Sequence, residues 1–159
     1  MNERLLIAPV RKTVHVKAPI AHVFDVFTSG LTNWWPNDHG VGKKPIQKVL
    51  MEPRLGGRWL EISTDGTETT VATITVWDPP HRLVMIWQIN AQWKPDATMK
   101  SEVDVRFAAD GPDATTVELL HHRFETMGAE PGSSMRNDVD RGWPGLLQRF
   151  VQRAELRRS

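Results

Sequence analysis

The chain has no cysteine and no tyrosine. Without cysteine there are no disulfides, no thiolate zinc site and no cysteine nucleophile. An excess of charge of one sign is missing too. Twenty Lys and Arg stand against 19 Asp and Glu, a formal net charge of +1. Bulk charge therefore gives no reason to expect nucleic acid as a partner. No apolar run approaches the roughly 20 residues that a membrane span needs. The start, MNERLLIAPV, has too short an apolar stretch for a signal peptide, so a cytoplasmic protein is expected. There is no G-x-S-x-G elbow and no P-loop. Gly56-Gly57 precedes a strand, not a helix, and carries no dinucleotide fingerprint, so no cofactor is expected.

What is present suits one globular domain spanning residues 1–159. Apolar residues make up 40% of the chain and charged residues 25%, enough to build a real core. Tryptophan is abundant: seven, at 34, 35, 59, 77, 87, 93 and 143. An indole is bulky, and its N–H wants a partner when buried. The pair Trp34–Trp35, within NWWPNDHG, puts a large apolar surface into what reads as a loop.

The pattern along the chain fixes an order of elements. RKTVHVKAP alternates and is β-branched, a strand over about 10–17. After Pro19, residues Ile20, Val23, Phe24 and Phe27 define one face of a short helix. A helical turn follows through 31–34. From residue 44 the period is that of strands: PIQKVLME, RWLEIST, TETTVATITVW, RLVMIWQIN, KSEVDVRFA and TTVELLHHRF. DG at 65–66, DPPH and DGPDA supply turns, and AQWKPDAT a longer loop. Met135, Val139, Trp143, Leu146, Leu147, Phe150, Val151 and Ala154 then return to helical spacing. Pro144 predicts a kink or a fresh start near Trp143. The class is α+β: a curved antiparallel sheet of about six to seven strands wrapped around a long C-terminal helix, with one or two short helices after the first strand.

That order resembles the helix-grip fold of the START-like (SRPBCC) superfamily. The words VKAPIAHVFDVFT, WWPNDH, EPRLGGRWLE, DPPHRLVMIWQIN, VELLHHRFE and GWPGLLQRF resemble the branch named after the activator of the Hsp-90 ATPase. The resemblance implies a deep, largely apolar cavity between sheet and C-terminal helix. It implies no fixed catalytic set. Related branches bind hydrophobic ligands, and some are cyclases or dehydratases acting on polyketides. The family's cochaperone carries a further chaperone-binding domain, for which this chain has no room.

Each candidate residue has a structural reading beside a functional one. Of Trp34 and Trp35, one is expected to seal the core beside the first helix and the other to line the cavity mouth. Trp59 and Glu61 share a strand face, and the family words favour that face looking into the cavity. A carboxylate in an apolar pocket suits proton transfer; the alternative is a Glu paired with Arg58 or Arg54. Trp87 shares its face with Leu83, Met85 and Ile89 and is expected to point inward, as core or as cavity wall. Trp93 reads as a lid or surface residue, and Trp77 as structural. His121 and His122 are adjacent on a strand and point to opposite faces, so they cannot chelate one ion together. His121 is the inward one, either a hydrogen-bonded core residue or a catalyst working with Glu61. A metal site would need His121 with distant partners such as His39 and Glu61, and none is expected. Trp143 anchors the last helix and, in this fold, also forms cavity wall. Lys43, Lys44 and Lys48 read as a surface group.

Three functions follow as expectations. The first is a small hydrophobic or aromatic molecule held by Trp34, Trp35, Trp59, Glu61, Met85, Trp87, Trp93, His121 and Trp143. The second is a cyclase- or dehydratase-like enzyme using Glu61 and His121. The third is a protein-interaction module or homodimer.

Overall fold

The computed structural model describes residues 7–36 and 45–156. The chain opens with β1 (Val10–Val16) and then α1 (Ile20–Phe27), which buries Val23, Phe24, Val26 and Phe27. A 3-10 turn at Leu31–Asn33 brings the chain to the Trp34–Trp35 pair. Six strands follow: β2 (Ile46–Met51), β3 (Arg58–Ser63), β4 (Glu68–Asp78), β5 (Arg82–Trp87), β6 (Ser101–Ala109) and β7 (Thr115–His122). A second 3-10 turn, Phe124–Met127, leads into α2 (Ala129–Ala154).

The seven strands form one sheet in the order β1-β7-β6-β5-β4-β3-β2, and each neighbouring pair is antiparallel. The first two strands thus lie at opposite edges, joined by α1 and the turn after it. Register shifts fall between Ile46 and Lys48, between Trp59 and Leu60, and between Ile74 and Val76. An extra residue on one strand of a pair bends it and increases its twist, so these irregularities curl the β2–β5 half of the sheet. The curl lets one helix lie in the concave face. The buried residues of α2, namely Gly132, Met135, Val139, Trp143, Leu147, Phe150 and Ala154, recur at three- and four-residue spacing and face that hollow.

Of the kink or fresh start expected near Trp143, the fresh start does not occur: α2 is one continuous helix through Pro144. Proline removes the N–H that would reach the carbonyl of Asp140, and its ring crowds that carbonyl. Pro144 is exposed and Asp140 half-exposed, so the lost bond falls on the solvated side. The buried stripe Val139, Trp143, Leu147 and Phe150 holds the helix together across it. Gly132, near the start of α2, is required for packing. A Cβ there would lie 2.3 Å from the carbonyl oxygen of Phe124. Among the described residues no helix is long and apolar enough to cross a membrane.

Candidate functional site

Between the β3–β5 half of the sheet and the middle of α2 lies a cavity of about 340 Å³. Among the described residues its walls are Trp35, Trp59, Glu61, Val71, Trp87, Val139 and Trp143, and Trp93, Asp138, Gly142 and Leu146 also line it. The wall residues are nearly inaccessible, from 1% for Trp59 to 8% for Trp35, whereas Trp93 is 39% exposed. Trp93, Asp138 and Gly142 therefore mark the mouth.

Strand alternation brings Trp59 and Glu61 to the same face of β3, and the cavity lies on that face. Opposite them, Trp59 pairs with Ala72 and Leu60 with Thr70. Val71 is the extra residue between those two pairs. This bulge lets Val71 join the lining beside a buried Ala72. On β5, alternation turns Trp87 inward with Leu83 and Met85, and all three are buried.

The indoles pack in a continuous series, edge to face except for a tilted Trp87–Trp143 contact. Trp35 meets Trp59 with ring centroids 4.5 Å apart, Trp59 meets Trp87 at 5.6 Å, and Trp87 meets Trp143 at 6.3 Å. Trp35 and Trp143 close the ring at 6.0 Å. Such arrangements satisfy the ring quadrupoles and add about 0.5–1.5 kcal/mol per pair beyond area burial. Among the described residues the buried Nε1 atoms of Trp59 and Trp87 have no hydrogen-bond partner.

The site rests on a second layer built around His121. Trp143 donates its indole N–H to His121 Nδ1 at 3.2 Å, and His121 Nε2 lies 3.4 Å from Ser101 Oγ. With Nδ1 accepting, the ring proton sits on Nε2 and is donated to the serine. Burial, and then the neighbouring charge of His122, pushes the His121 imidazole down to about 3, so it is neutral at ordinary pH. Its ring also stacks on Phe124 at 4.6 Å.

The mouth is built differently. Asn90 organises a tight loop: its side-chain oxygen accepts the backbone N–H groups of Gln92 and Lys94. Its own N–H bonds the carbonyl of Lys94. Within this loop Trp93 has a left-handed backbone, φ 59°, costly for a residue with a bulky side chain. Its indole N–H reaches across to Asp138 Oδ2 on α2 at 3.1 Å. The other Asp138 oxygen accepts from Arg141 at 2.7 Å.

Six of the nine sequence-derived candidates meet at this cavity: Trp35, Trp59, Glu61, Trp87, Trp93 and Trp143. Three do not. Trp34 is a core residue: its N–H donates to the carbonyl of Val26 at 2.9 Å, and its ring packs on Phe27 and Phe150. Met85 is fully buried in the core. His121 sits behind Trp87 and Trp143 and does not line the cavity. Glu61 on β3 and His121 on β7 are four strands apart in the sheet order, so no single substrate atom is offered to both. Arg58 and Arg54 both pair with Glu52, at 3.1 and 3.5 Å, which is not the Glu61 pairing weighed from sequence. His39, Lys43 and Lys44 lie outside the described residues. Among those described, no three His, Asp or Glu side chains gather as metal ligands.

Sequence reading missed Val71, Asp138, Val139, Gly142 and Leu146 as lining residues. The bulge hid Val71. Asp138, Gly142 and Leu146 stand four apart on α2, a stripe beside the apolar Val139–Trp143 stripe, and only Leu146 is apolar enough to signal it.

Comparison with known proteins agrees with this architecture. The family model for activator of Hsp90 ATPase homolog 1-like proteins matches residues 17–155. An anthrahydroquino-gamma-pyrone synthase, Txn09, solved complexed with a ligand, is 36% identical. The match covers 94% of this chain and 99% of that one, with a TM-score of 0.64. CalC, a self-sacrificing resistance protein from Micromonospora echinospora, is also 36% identical. There the match covers 92% and 93% of the two chains, with a TM-score of 0.70. Protein MLL2253 from Mesorhizobium loti shares the fold at 15% identity and a TM-score of 0.62, over 91% and 95% of the chains. No curated protein matches. By family model, by these 36% identities and by its curled seven-stranded sheet around a long helix, the chain belongs to the activator of Hsp90 ATPase homolog 1-like family, on the START-like helix-grip fold.

Proposed function

We propose that the protein binds a compact aromatic molecule in the indole-lined cavity, with Glu61 accepting a hydrogen bond from a hydroxyl group on it. The observation that carries this reading is the composition of the lining: five tryptophans and one buried carboxylate around about 340 Å³. That volume is at the small end of ligand pockets, and an apolar wall with few polar groups is their usual make-up. Flat indole faces favour a flat partner. The relative that is an anthrahydroquino-gamma-pyrone synthase supports a fused-ring aromatic as the ligand class.

An enzyme using Glu61 and His121 together finds no support, because His121 is neutral, fully buried and away from the cavity lining. Chemistry at this cavity would rest on Glu61. For a protein-interaction module, the exposed large apolar side chains among the described residues are Leu55, Trp93 and Leu156, a thin basis for a docking patch.

The test is titration of the purified protein with 2-naphthol, followed by quenching of tryptophan fluorescence. Saturable quenching at one site per chain is expected, weakened in Trp59→Ala provided that variant keeps its far-ultraviolet dichroism. Absence of saturation in the folded wild type overturns the reading.

A further inference from the structure

Glycine is the least favourable residue other than proline inside a helix, because it loses the most backbone freedom on folding. Gly142 sits in the interior of α2, so a reason for it is needed. Packing supplies none. Among the described residues a Cβ built on Gly142 meets no atom within 4 Å, in contrast to Gly132 on the same helix, where it would strike backbone. Backbone geometry supplies none either, since Gly142 is not among the glycines with positive φ. What distinguishes Gly142 is its place in the cavity lining.

Its neighbours define the rim. Asp138 is one turn before it on the same helix face, about 6 Å along the axis. Trp93 reaches over and bonds Asp138, closing the rim there. Gly142 itself adds no side chain to the rim. We infer that Gly142 is the specificity-determining residue of the cavity: the missing side chain leaves a notch through which a substituent too large for the cavity projects to solvent. This rests on the cavity being an aromatic-ligand site, as proposed above. It adds the ligand's shape, a flat core carrying an extension.

Gly145 gives an internal control. Among the described residues a Cβ there also meets nothing within 4 Å, yet Gly145 does not line the cavity. Two probes share a naphthalene core: 2-naphthol, which is compact, and N-phenyl-1-naphthylamine, which carries an extra ring. Both are titrated against wild type, Gly142→Ala, Gly142→Leu and Gly145→Leu. Gly142→Ala is expected to raise the melting temperature by about 1–4 °C while lowering affinity for the extended probe, opposite signs that a purely structural glycine would not give. Gly142→Leu is expected to shift the affinity ratio against the extended probe by about tenfold. Gly145→Leu keeps the wild-type ratio. An unchanged ratio in folded Gly142→Leu, or an equal shift in Gly145→Leu, overturns the inference and leaves the aromatic-binding reading standing. If neither probe binds the wild type saturably, both fall.

Discussion

Trp143 and His121 meet inside the core, indole N–H to imidazole Nδ1 at 3.2 Å, with neither side chain more than 2% exposed. The bond spends the Trp143 donor on the protein itself. What Trp143 offers the cavity is therefore ring surface. A neutral histidine is the condition for this contact, since an imidazolium has no free acceptor.

That condition makes stability depend on pH. The folded imidazole titrates at about 3, against about 6.5 when unfolded. Between those values the unfolded chain binds the extra proton, so stability rises with pH and is lost as pH falls below about 6.5. At pH 4.5 the loss amounts to about 3 kcal/mol. Asp104 does not confuse this window. Burial pushes its carboxyl up, but hydrogen bonds and charge from Arg82 and Arg106 hold it below its ordinary value. Its contribution goes only below about pH 4. Urea unfolding at pH 7.5 and 4.5 should show the loss in wild type and a much flatter response in His121→Gln. Equal wild-type stability at both values would rule out a buried neutral His121.

The two adjacent indoles should respond differently. Trp34 donates to Val26 O and packs on Phe27 and Phe150, whereas Trp35 lines the cavity. Trp34→Phe leaves a buried carbonyl short of a donor and opens a void, costing about 2–4 kcal/mol. It should leave 2-naphthol affinity near the wild-type value. Trp35→Phe should lower that affinity several-fold for a smaller change in stability. Thermal melts and probe titrations on both variants decide it, and a reversed pattern would contradict the assignment.

Glu61→Leu keeps much of the side chain's bulk and removes both oxygens. A hydrogen bond contributes about 0.5–1.5 kcal/mol. The ratio of 2-naphthol to naphthalene affinity should therefore fall by about two- to twelvefold. An unchanged ratio would mean that the hydroxyl does not meet Glu61.

The Trp93–Asp138 bond closes one side of the mouth at 3.1 Å, and Trp93 holds a left-handed backbone to make it. A bond of this kind contributes about 0.5–1.5 kcal/mol. Asp138→Ala should raise the 2-naphthol dissociation rate by about two- to twelvefold in stopped flow. A rate equal to wild type would show that the mouth is not held by this contact.

The fold was legible because its signals are periodic. Alternation marked the strands, turn residues separated them, and the three- and four-residue spacing from Met135 to Ala154 marked the last helix. The site was half legible for the same reason. Alternation says which way Met85, Trp87 and His121 point, but not how deep each lies, so all three were expected at the cavity and only Trp87 lines it. Trp34 and Trp35 are neighbours of one chemical type, and what separates their roles is the Trp34–Val26 bond, the packing of Trp34 on Phe27 and Phe150, and the place of Trp35 in the lining. Val71 escaped because a bulge breaks the period it should obey. Asp138 and Gly142 escaped because periodicity sorts helix faces by apolarity, and a rim needs no apolar side chain. Pro144 does not divide the helix, since its missing N–H falls on a solvated face beside the buried Trp143 and Leu147.

Seven tryptophans give seven indole N–H signals, one per residue, in a proton–nitrogen correlation spectrum. Titration with 2-naphthol while watching those signals reads the cavity residue by residue. Saturable shifts are expected for Trp35, Trp59, Trp87, Trp93 and Trp143, with Trp34 and Trp77, outside the lining, staying still. Shifts confined to Trp34 or Trp77, or no saturable shift at all, would contradict binding in the indole-lined cavity.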